Sequence, residues 1–253
     1  MTLRPSVALM RFQNSLASNV GQGLCVFLPL IMPLFAAPGR GNCRLADPES
    51  AARIDLESCR PAPLSPEEKA AVLASLPRDG EITALTGGER EKLAFVDRFL
   101  ATQHRRGVYA VKVIDPAQAW VGLHGRAVLL ITRSALRLLS AAELTAIVAH
   151  EVGHEYVYSE YGAAKAAGNS SELKRLELTC DALAVAMLKH PGFGWEPLAP
   201  AFEALARYNL EHFGTPLNNE NYPPTKERRK LIDRVSRTLL SSRLRDTSVS
   251  RPR

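Results

Sequence analysis

Two histidines and a glutamate, spaced as H-E-x-x-H, are the residues in this chain whose types and spacing could do chemistry. They are His150, Glu151 and His154, in a stretch with a helical pattern. On a helix, side chains four residues apart lie on one face, so both imidazoles can bind one metal ion while Glu151 stands beside it. Because so short a pattern also arises by chance, the neighbouring sequence has to support it.

A metal site of this kind needs a third ligand, since catalytic zinc takes three protein ligands and leaves one position open for water. Glu160 has the spacing used where the chain turns sharply after the second histidine, but Val157 stands where that turn needs a glycine. Glu177 is the other candidate, with Asp181 one helical turn later. On an ordinary helix both would face solvent, whereas this helix is apolar nearly all round and its carboxylates need a partner.

The hydrophobic pattern predicts the elements that would position these residues. Helices are predicted at 65–76, 89–104, 140–157, 169–190, 196–212 and 225–240, and strands at 108–114, 118–123 and 127–132. The last two strands are expected to form an antiparallel hairpin whose edge can accept an extended peptide. The small, polar stretch at 161–170 is predicted to form a loop or mobile flap. The predicted fold class is α+β, mostly helical, with a small antiparallel β-hairpin or sheet beside the motif helix.

The two central helices carry start signals. Ser140 and Glu143 have the S-x-x-E spacing of a capping box, in which each residue's side chain accepts a hydrogen bond from the other's backbone. Asn169 can cap the next helix, with Glu172 at its third position. We therefore expect both helices to begin at defined residues.

Composition divides the chain into four parts. Residues 1–37 place arginines ahead of an apolar run at 24–37, which suits a signal peptide better than a membrane span. The other parts are a Pro-rich linker or arm (38–65), a main domain (66–245) and a disordered basic tail (246–253). We expect export to the periplasm or cell envelope, with an uncleaved N-terminal membrane anchor as the alternative.

Charge and cysteines limit the partners and the compartment. The net charge is +6, but Lys and Arg are scattered and few aromatics accompany the short basic clusters. No nucleic-acid partner is therefore expected, while association with a membrane surface stays open. Cys43 and Cys59 bracket the Pro-rich stretch, where they either form a disulfide or remain two free thiols.

At these motifs the chain resembles the HtpX and CAAX-prenyl-endopeptidase family of gluzincin metallopeptidases. The resemblance covers roughly residues 85–240. It is carried by the hairpin, by ELTAIVAHEVGHE, by ELTCDALAVAML with its E-x-x-x-D, and by YPPTKERRKLI. It implies a zincin-like metallopeptidase domain at 66–245 that cleaves protein or peptide substrates in the cell envelope, misfolded proteins among them.

The resemblance also implies roles for the motif residues. One Zn²⁺ per chain would be bound by His150, His154 and Glu177. Glu151 would act as general base, and Asp181 would accept a hydrogen bond from a ligand histidine.

The late motif departs from the family at one position. Relatives usually have a histidine before the proline, where this chain has Tyr222. Tyr222 is a candidate catalytic residue, because a phenol can donate a hydrogen bond to an oxyanion, or it is a structural residue that packs on Pro223. Arg228 matches the family's arginine. It could bind substrate, pair with a site carboxylate or cap the helix surface.

The hairpin departs from the family as well. Relatives tend to carry N-A-F where this chain reads Gln118, Ala119 and Trp120, which are candidate substrate-binding residues. Backbone groups at such an edge tolerate side-chain change, and Trp120 would line the cleft or pack in the core. Two other functions remain open: a zinc-binding chaperone or binding module without proteolytic activity, and a zinc hydrolase for non-peptide envelope material. The oligomeric state stays unknown.

Overall fold

The fold combines helices with one small sheet. A computed structural model of the chain describes residues 45, 47–77, 80–215 and 220–249. Within these residues the helices are α1 (Pro48–Ala51), α2 (Pro66–Ser75), α3 (Gly87–Thr102), α4 (Arg133–Leu138), α5 (Ala141–Tyr156), α6 (Tyr158–Ala166), α7 (Ser170–Leu188), α8 (Leu198–Phe213) and α9 (Thr225–Val249). The strands are β1 (Ala110–Ile114), β2 (Val121–His124) and β3 (Val128–Thr132). The mostly helical α+β class is confirmed.

The sheet has the order β1-β3-β2. β2 and β3 pair antiparallel, with Val121 opposite Ile131, so the predicted hairpin is confirmed. β1 pairs with β3 in parallel, with Ala110 beside Val128, so the expectation of a purely antiparallel sheet is wrong. The reason lies in β3, whose sequence VLLIT is apolar on both faces. Such a strand is best buried at the centre, between two neighbours.

The hairpin turn fixes the register of β2. Gly125 and Arg126 both have positive φ angles, 55° and 57°, and the Ala127 N–H donates to the His124 carbonyl at 3.0 Å. Two central turn residues with positive φ, here within the three-residue loop 125–127, match the right-handed twist of paired strands. A Cβ at Gly125 would lie 2.8 Å from Val72, so only glycine fits there.

Helix α5 carries the H-E-x-x-H motif through the centre of the domain. It begins at the predicted capping box, where the Glu143 N–H donates to Ser140 Oγ at 3.2 Å and the Ser140 N–H donates to Glu143 at 2.8 Å. It packs against α3, α7, α8 and β2. A Cβ at Gly153 would lie 3.1 Å from the backbone of Cys180, so this glycine lets α7 approach α5 closely.

Helix α7 also begins where the sequence predicts. The Asn169 side chain accepts from the Glu172 N–H at 3.0 Å, which confirms the cap. The predicted flap at 161–170 is wrong for most of its length, because residues through Ala166 belong to α6. Alanine favours helix, and the two buried residues of α6, Tyr161 and Ala164, lie three apart on one face, so the segment packs rather than loops.

Two further helices differ from the predicted pattern. The short helix α4 was not predicted and is capped by Thr132, which accepts from the Ala135 N–H. Helix α9 continues to Val249, past the predicted end near residue 240 and into the predicted tail. The sequence from 225 to 249 contains neither glycine nor proline, so nothing in it stops a helix.

The Pro-rich arm lies on the domain wherever the structure describes it. Ala51 in α1 is fully buried, and α1 packs against α7. Two arginine side chains of the main domain bind the arm's backbone: Arg105 donates to the Pro61 carbonyl at 2.9 Å and Arg126 donates to the Ala62 carbonyl at 2.6 Å. These contacts connect residues 61–62 to the loop after α3 and to the turn between β2 and β3.

Several N-terminal predictions fall outside the described residues. Cys59 is disulfide-bonded, whereas Cys43 and the predicted signal at 1–37 lie outside the described part of the chain. Among the described residues, no helix is both long enough and apolar enough to cross a membrane.

Candidate metal centre

The three motif residues form a buried group that could hold a metal ion. His150, Glu151 and His154 are 2%, 6% and 8% exposed, and one ligand atom of each lies within 4.8 Å of the others. Histidine and carboxylate groups are rarely buried without a partner, because burial removes their hydration. The helical spacing of four residues therefore brings both imidazoles together, as the sequence predicts.

Helix α7 brings Glu177 to the same point. Glu177 Oε2 lies 3.3 Å from His150 Nε2, and Glu177 Oε1 lies 3.7 Å from His154 Nε2. Ligands bound to tetrahedral zinc at about 2.0–2.1 Å stand about 3.3–3.4 Å from one another. The separations of 3.3 and 3.7 Å are close to this value, so Glu177 lies within reach of an ion held between the two imidazoles.

The outer nitrogens of both histidines face partners on α7. His150 Nδ1 lies 2.9 Å from Asp181 Oδ1, as expected for a carboxylate that orients a ligand histidine. His154 Nδ1 lies 3.4 Å from Cys180 Sγ. Because each Nδ1 faces these partners, each Nε2 is left to face Glu177.

Arg228, from α9, binds both carboxylates of α7. Its Nη2 donates to Glu177 Oε2 at 2.7 Å and its Nη1 donates to Asp181 Oδ1 at 3.0 Å. The guanidinium also lies 4.0 Å from the centre of the Phe202 ring, which in turn meets the His150 ring edge-on. Of the predicted roles, pairing with a site carboxylate is therefore the one for which the structure shows contacts.

The four titratable groups at the centre influence one another. Burial opposes charge on His150, but Asp181 and Glu177 outweigh it and raise the pKa of this imidazole to about 9. Burial lowers the pKa of His154 to about 4. Burial also opposes charge on Glu177, yet the two histidines and a neighbouring guanidinium hold its pKa well below the usual range. A cation at this point would thus meet an ionised carboxylate and would displace a proton from His150.

Glu151 is hydrogen-bonded to the sheet rather than to the residues of α7. Its Oε2 accepts a hydrogen bond from the Leu123 N–H of β2 at 3.0 Å. Burial raises the pKa of Glu151 to about 7, and the charge on Glu177 adds to this rise. A carboxylate with a pKa near neutrality can take up and release a proton under ordinary conditions.

A tyrosine that the sequence did not single out touches the centre. The Tyr161 hydroxyl donates to Glu177 Oε1 at 3.0 Å, and its ring meets the His154 ring edge-on. The predicted residue, Tyr222, is half-buried and is an electrostatic neighbour of Arg228. Glu160, the alternative ligand, is exposed on the first turn of α6.

Three of the four candidate substrate-binding residues, all but Arg228, lie just before β2. Gln118 is half-buried, while Ala119 and Trp120 are buried. Trp120 pairs with Thr132 through its backbone, and its ring lies 3.5 Å from where a Cβ of Gly122 would be. The Ala119 backbone is bound on its other side by the side chain of Asn209.

Sequence reasoning missed three residues that shape the centre: Tyr161, Cys180 and Asn209. Cys180 lies three residues after Glu177 on one helix, so its place on the same face was available from the spacing. Tyr161 was missed because residues 161–170 were predicted to form a flap rather than a helix that packs beside the centre. Asn209 contacts a residue 90 positions away, which no local pattern indicates.

Comparison with known proteins adds no relative. No protein-family model matches the chain, and no curated protein matches it. The resemblance described above therefore depends on the motifs alone.

Proposed function

We propose that this protein is a zinc-dependent metalloendopeptidase that hydrolyses peptide bonds of cell-envelope proteins, misfolded ones among them. The observation that carries the proposal is the convergence of three donors, His150 Nε2, His154 Nε2 and a Glu177 oxygen, beside the Glu151 carboxylate. When bound there, a zinc ion would lower the pKa of a water molecule and polarise a substrate carbonyl. One zinc per chain is proposed.

Glu151 is proposed as the general base. Its carboxylate accepts the proton of the attacking water and later delivers it to the leaving amine. The hydrogen bond from the Leu123 N–H holds the carboxylate beside β2, on the side where an extended substrate would lie. A pKa raised to about 7 by burial suits both the uptake and the release of this proton.

The surrounding residues orient the ligands. Asp181 and Cys180 face the outer nitrogens of the two histidines, and Arg228 fixes the two carboxylates of α7. Tyr161 restrains Glu177 through its hydroxyl. Tyr222 is the proposed hydrogen-bond donor to the oxyanion, a role that its nearness to Arg228 supports.

The edge strand β2 favours a peptide over a non-peptide substrate. Backbone groups of alternate residues point away from β3, and the Leu123 N–H shows which residues these are. By this alternation the Val121 backbone groups also point away from β3. Val121 is only 1% exposed, so this edge has to open before an extended peptide can pair with it.

The proposal is tested with purified full-length protein. We expect about one equivalent of zinc by metal analysis, cleavage of casein or a peptide library, loss of cleavage with a chelator, and recovery with zinc. Glu151→Gln should keep the zinc and lose cleavage by about 10²–10⁴-fold, the usual contribution of a general base.

Two results would contradict the proposal. Equal residual cleavage by the wild type and by Glu151→Gln would contradict the proposed peptidase activity. Less than about half an equivalent of zinc, unchanged by Glu177→Ala, would remove the metal site. Zinc binding without cleavage would instead favour the binding-module alternative. Export by the N-terminal segment, or anchoring by it, remains part of the proposal.

A further inference from the structure

The outer edge of β2, which faces away from β3, is closed along its whole length. Backbone direction alternates along a strand, so this edge presents Ala119, Val121 and Leu123, and all three residues are buried. The Leu123 N–H is bonded to Glu151, so the proposed general base closes the end of the edge nearest the metal centre. Another element must cover the remainder.

Helix α8 is the element that lies along this edge. Near its start the Phe202 ring meets the His150 ring edge-on, with 5.1 Å between the ring centres. Seven residues later the Asn209 side chain bonds to Ala119. Seven residues of α-helix span about 10 Å, and residues seven apart share a helix face. The edge itself spans about 13 Å for four residues. Helix α8 therefore follows the edge from the metal centre to Ala119.

Asn209 attaches α8 to the edge through both ends of its carboxamide. Its Oδ1 accepts from the Ala119 N–H at 3.0 Å, and its Nδ2 donates to the Ala119 carbonyl at 2.8 Å. A residue of a neighbouring strand would make the same pair of bonds. Nδ2 also donates to the Leu205 carbonyl at 2.8 Å, which orients the carboxamide within its own helix. The side chain of Asn209 thus occupies the place of a paired strand at Ala119.

The half of α8 that contains Asn209 has few other buried contacts. Asn209 is the one buried residue at 206–213, where the Tyr208 hydroxyl adds a 3.4 Å hydrogen bond to the Ala117 carbonyl. At the other end of the helix Leu198 is fully buried in the core. Segments with few buried apolar contacts open at a low cost in free energy. The C-terminal half of α8 is therefore held in place mainly by the bonds of Asn209.

We propose that α8 is a lid over the outer edge of β2, with Asn209 as its latch, and that the structure shows the closed state. When the bonds to Ala119 break, the C-terminal half of α8 moves away about its buried N-terminal end. Ala119 and Val121 then become accessible to an extended peptide. Asn209 acts through α8, so it is a positioning residue. The binding of a peptide to the opened edge rests on the proposed function, whereas the lid does not.

Amide hydrogen exchange of the full-length protein measures the lid directly. In the wild type, the amides of 206–213 and of Val121 should exchange through one shared opening, with less protection than α5 and α7. Asn209→Leu keeps a similar side-chain shape but removes both bonds to Ala119. It should speed exchange at Val121 by about 10–100-fold, the value of two hydrogen bonds. Val121 is the reporter because the Asn209 side chain is bonded to Ala119 instead.

Two comparisons separate a latch from a purely structural side chain. If Asn209 only contributes to global stability, Asn209→Leu should speed exchange in α5 and α7 as much as at Val121. A latch speeds exchange at Val121 and at 206–213 alone. Arg207→Ala, at an exposed position of the same helix, is the matched control and should exchange as the wild type does.

Peptide binding tests what the lid controls. A fluorescently labelled casein peptide is titrated against zinc-loaded Glu151→Gln and against the double variant Glu151→Gln/Asn209→Leu, with fluorescence anisotropy as the readout. If only the open state binds peptide, the apparent Kd equals the intrinsic Kd divided by the open fraction. The double variant should therefore bind with a Kd lower by the same factor that the latch substitution adds to exchange at Val121.

Three outcomes would overturn the inference: unchanged exchange at Val121 in Asn209→Leu, an equal rise in α5 and α7, or faster exchange at Val121 with an unchanged Kd for the peptide. Faster exchange at Val121 with no peptide bound, and none cleaved by the wild type, would support the lid and refute the proposed function. If Asn209→Leu does not fold, the wild type decides, since Val121 must then exchange together with 206–213 and faster than α5.

Discussion

Helix α5 contributes to two buried charged clusters that differ in what they contain. The ligand cluster consists of His150, Glu151, His154, Glu177, Asp181 and Arg228. The arginine cluster consists of Arg105, Tyr109, Arg126 and Glu155. Most residues of both clusters are buried, and both clusters include residues of α5. A difference in function must therefore come from the charged groups of each cluster rather than from its burial.

The arginine cluster is closed around one carboxylate. Glu155 Oε2 lies 2.9 Å from Arg105 and accepts from the Tyr109 hydroxyl at 2.6 Å, while Arg126 lies 3.7 Å from Oε1. Each arginine also donates to a backbone carbonyl of the N-terminal arm. This cluster joins α5, the sheet and the arm, and its only carboxylate is already shared by two cations.

The ligand cluster has the opposite balance. It holds three carboxylates and one guanidinium, so with neutral histidines and an ionised Glu151 it carries two excess negative charges. The arginine cluster carries one excess positive charge. Uncompensated buried charge is costly, so the ligand cluster must take up either protons or a divalent cation. Two clusters of similar burial thus differ in the sign of their excess charge, which is positive in the arginine cluster and negative in the ligand cluster.

The largest expected effect is on metal binding. His154→Ala should abolish zinc binding and cleavage, because it removes one of three donors. In the wild type, zinc at about a thousandfold excess over its Kd should stabilise the fold by about 4 kcal/mol. Thermal unfolding with and without zinc checks this. The exposed His190→Ala is the control, and a variant lacking His154 that is still stabilised by zinc would contradict the assignment.

The next effect separates the two clusters. Glu155→Gln leaves Arg105 buried without an anion and should lower the free energy of unfolding by about 3–5 kcal/mol. The zinc affinity of the folded protein should stay unchanged. Urea unfolding and zinc titration measure the two quantities. Glu203→Gln, which breaks the exposed pair with Arg229, should cost less than about 1 kcal/mol. If Glu155→Gln instead lost zinc binding and kept its stability, the arginine cluster would be the one that supports metal binding, which contradicts the assignment.

A smaller effect is expected where a carboxylate supports a ligand. Asp181→Asn preserves shape but weakens the contact with His150 Nδ1, so zinc affinity should fall by about 10–100-fold. Competition with a chromophoric chelator gives the dissociation constant. Asp97→Asn, at an exposed pair with Arg106, serves as the matched control. An unchanged zinc affinity would mean that Asp181 only pairs with Arg228 and does not orient His150.

The sequence predicts best those features that depend on local spacing. The start of α5 follows from Ser140 and Glu143, and the shared face of His150 and His154 follows from the helical period. Glu177 was singled out because two carboxylates in an apolar helix need a partner, and it lies beside both histidines. Each of these inferences uses residues within a few turns of one helix, where the geometry is fixed by the backbone.

The features that were missed depend on contacts between distant segments. The pairing of β1 with β3 is set by the burial of β3, and α6 is helical because Tyr161 and Ala164 pack against the domain. The bonds from Asn209 to Ala119 join residues 90 positions apart. Local propensity does not specify such contacts, since tertiary packing decides between alternatives of similar intrinsic stability.

The smallest expected effect concerns the other histidine. Cys180 Sγ lies 3.4 Å from His154 Nδ1, and a thiol sulfur is a weak acceptor compared with the carboxylate that faces His150. Cys180→Ala should therefore lower zinc affinity by only about two- to fivefold, less than Asp181→Asn, by the same chelator competition. A loss as large as that of Asp181→Asn would show that both histidines need equal support. In that case the Gly153 contact, which lets Cys180 approach α5, would be as important for metal binding as the carboxylates themselves.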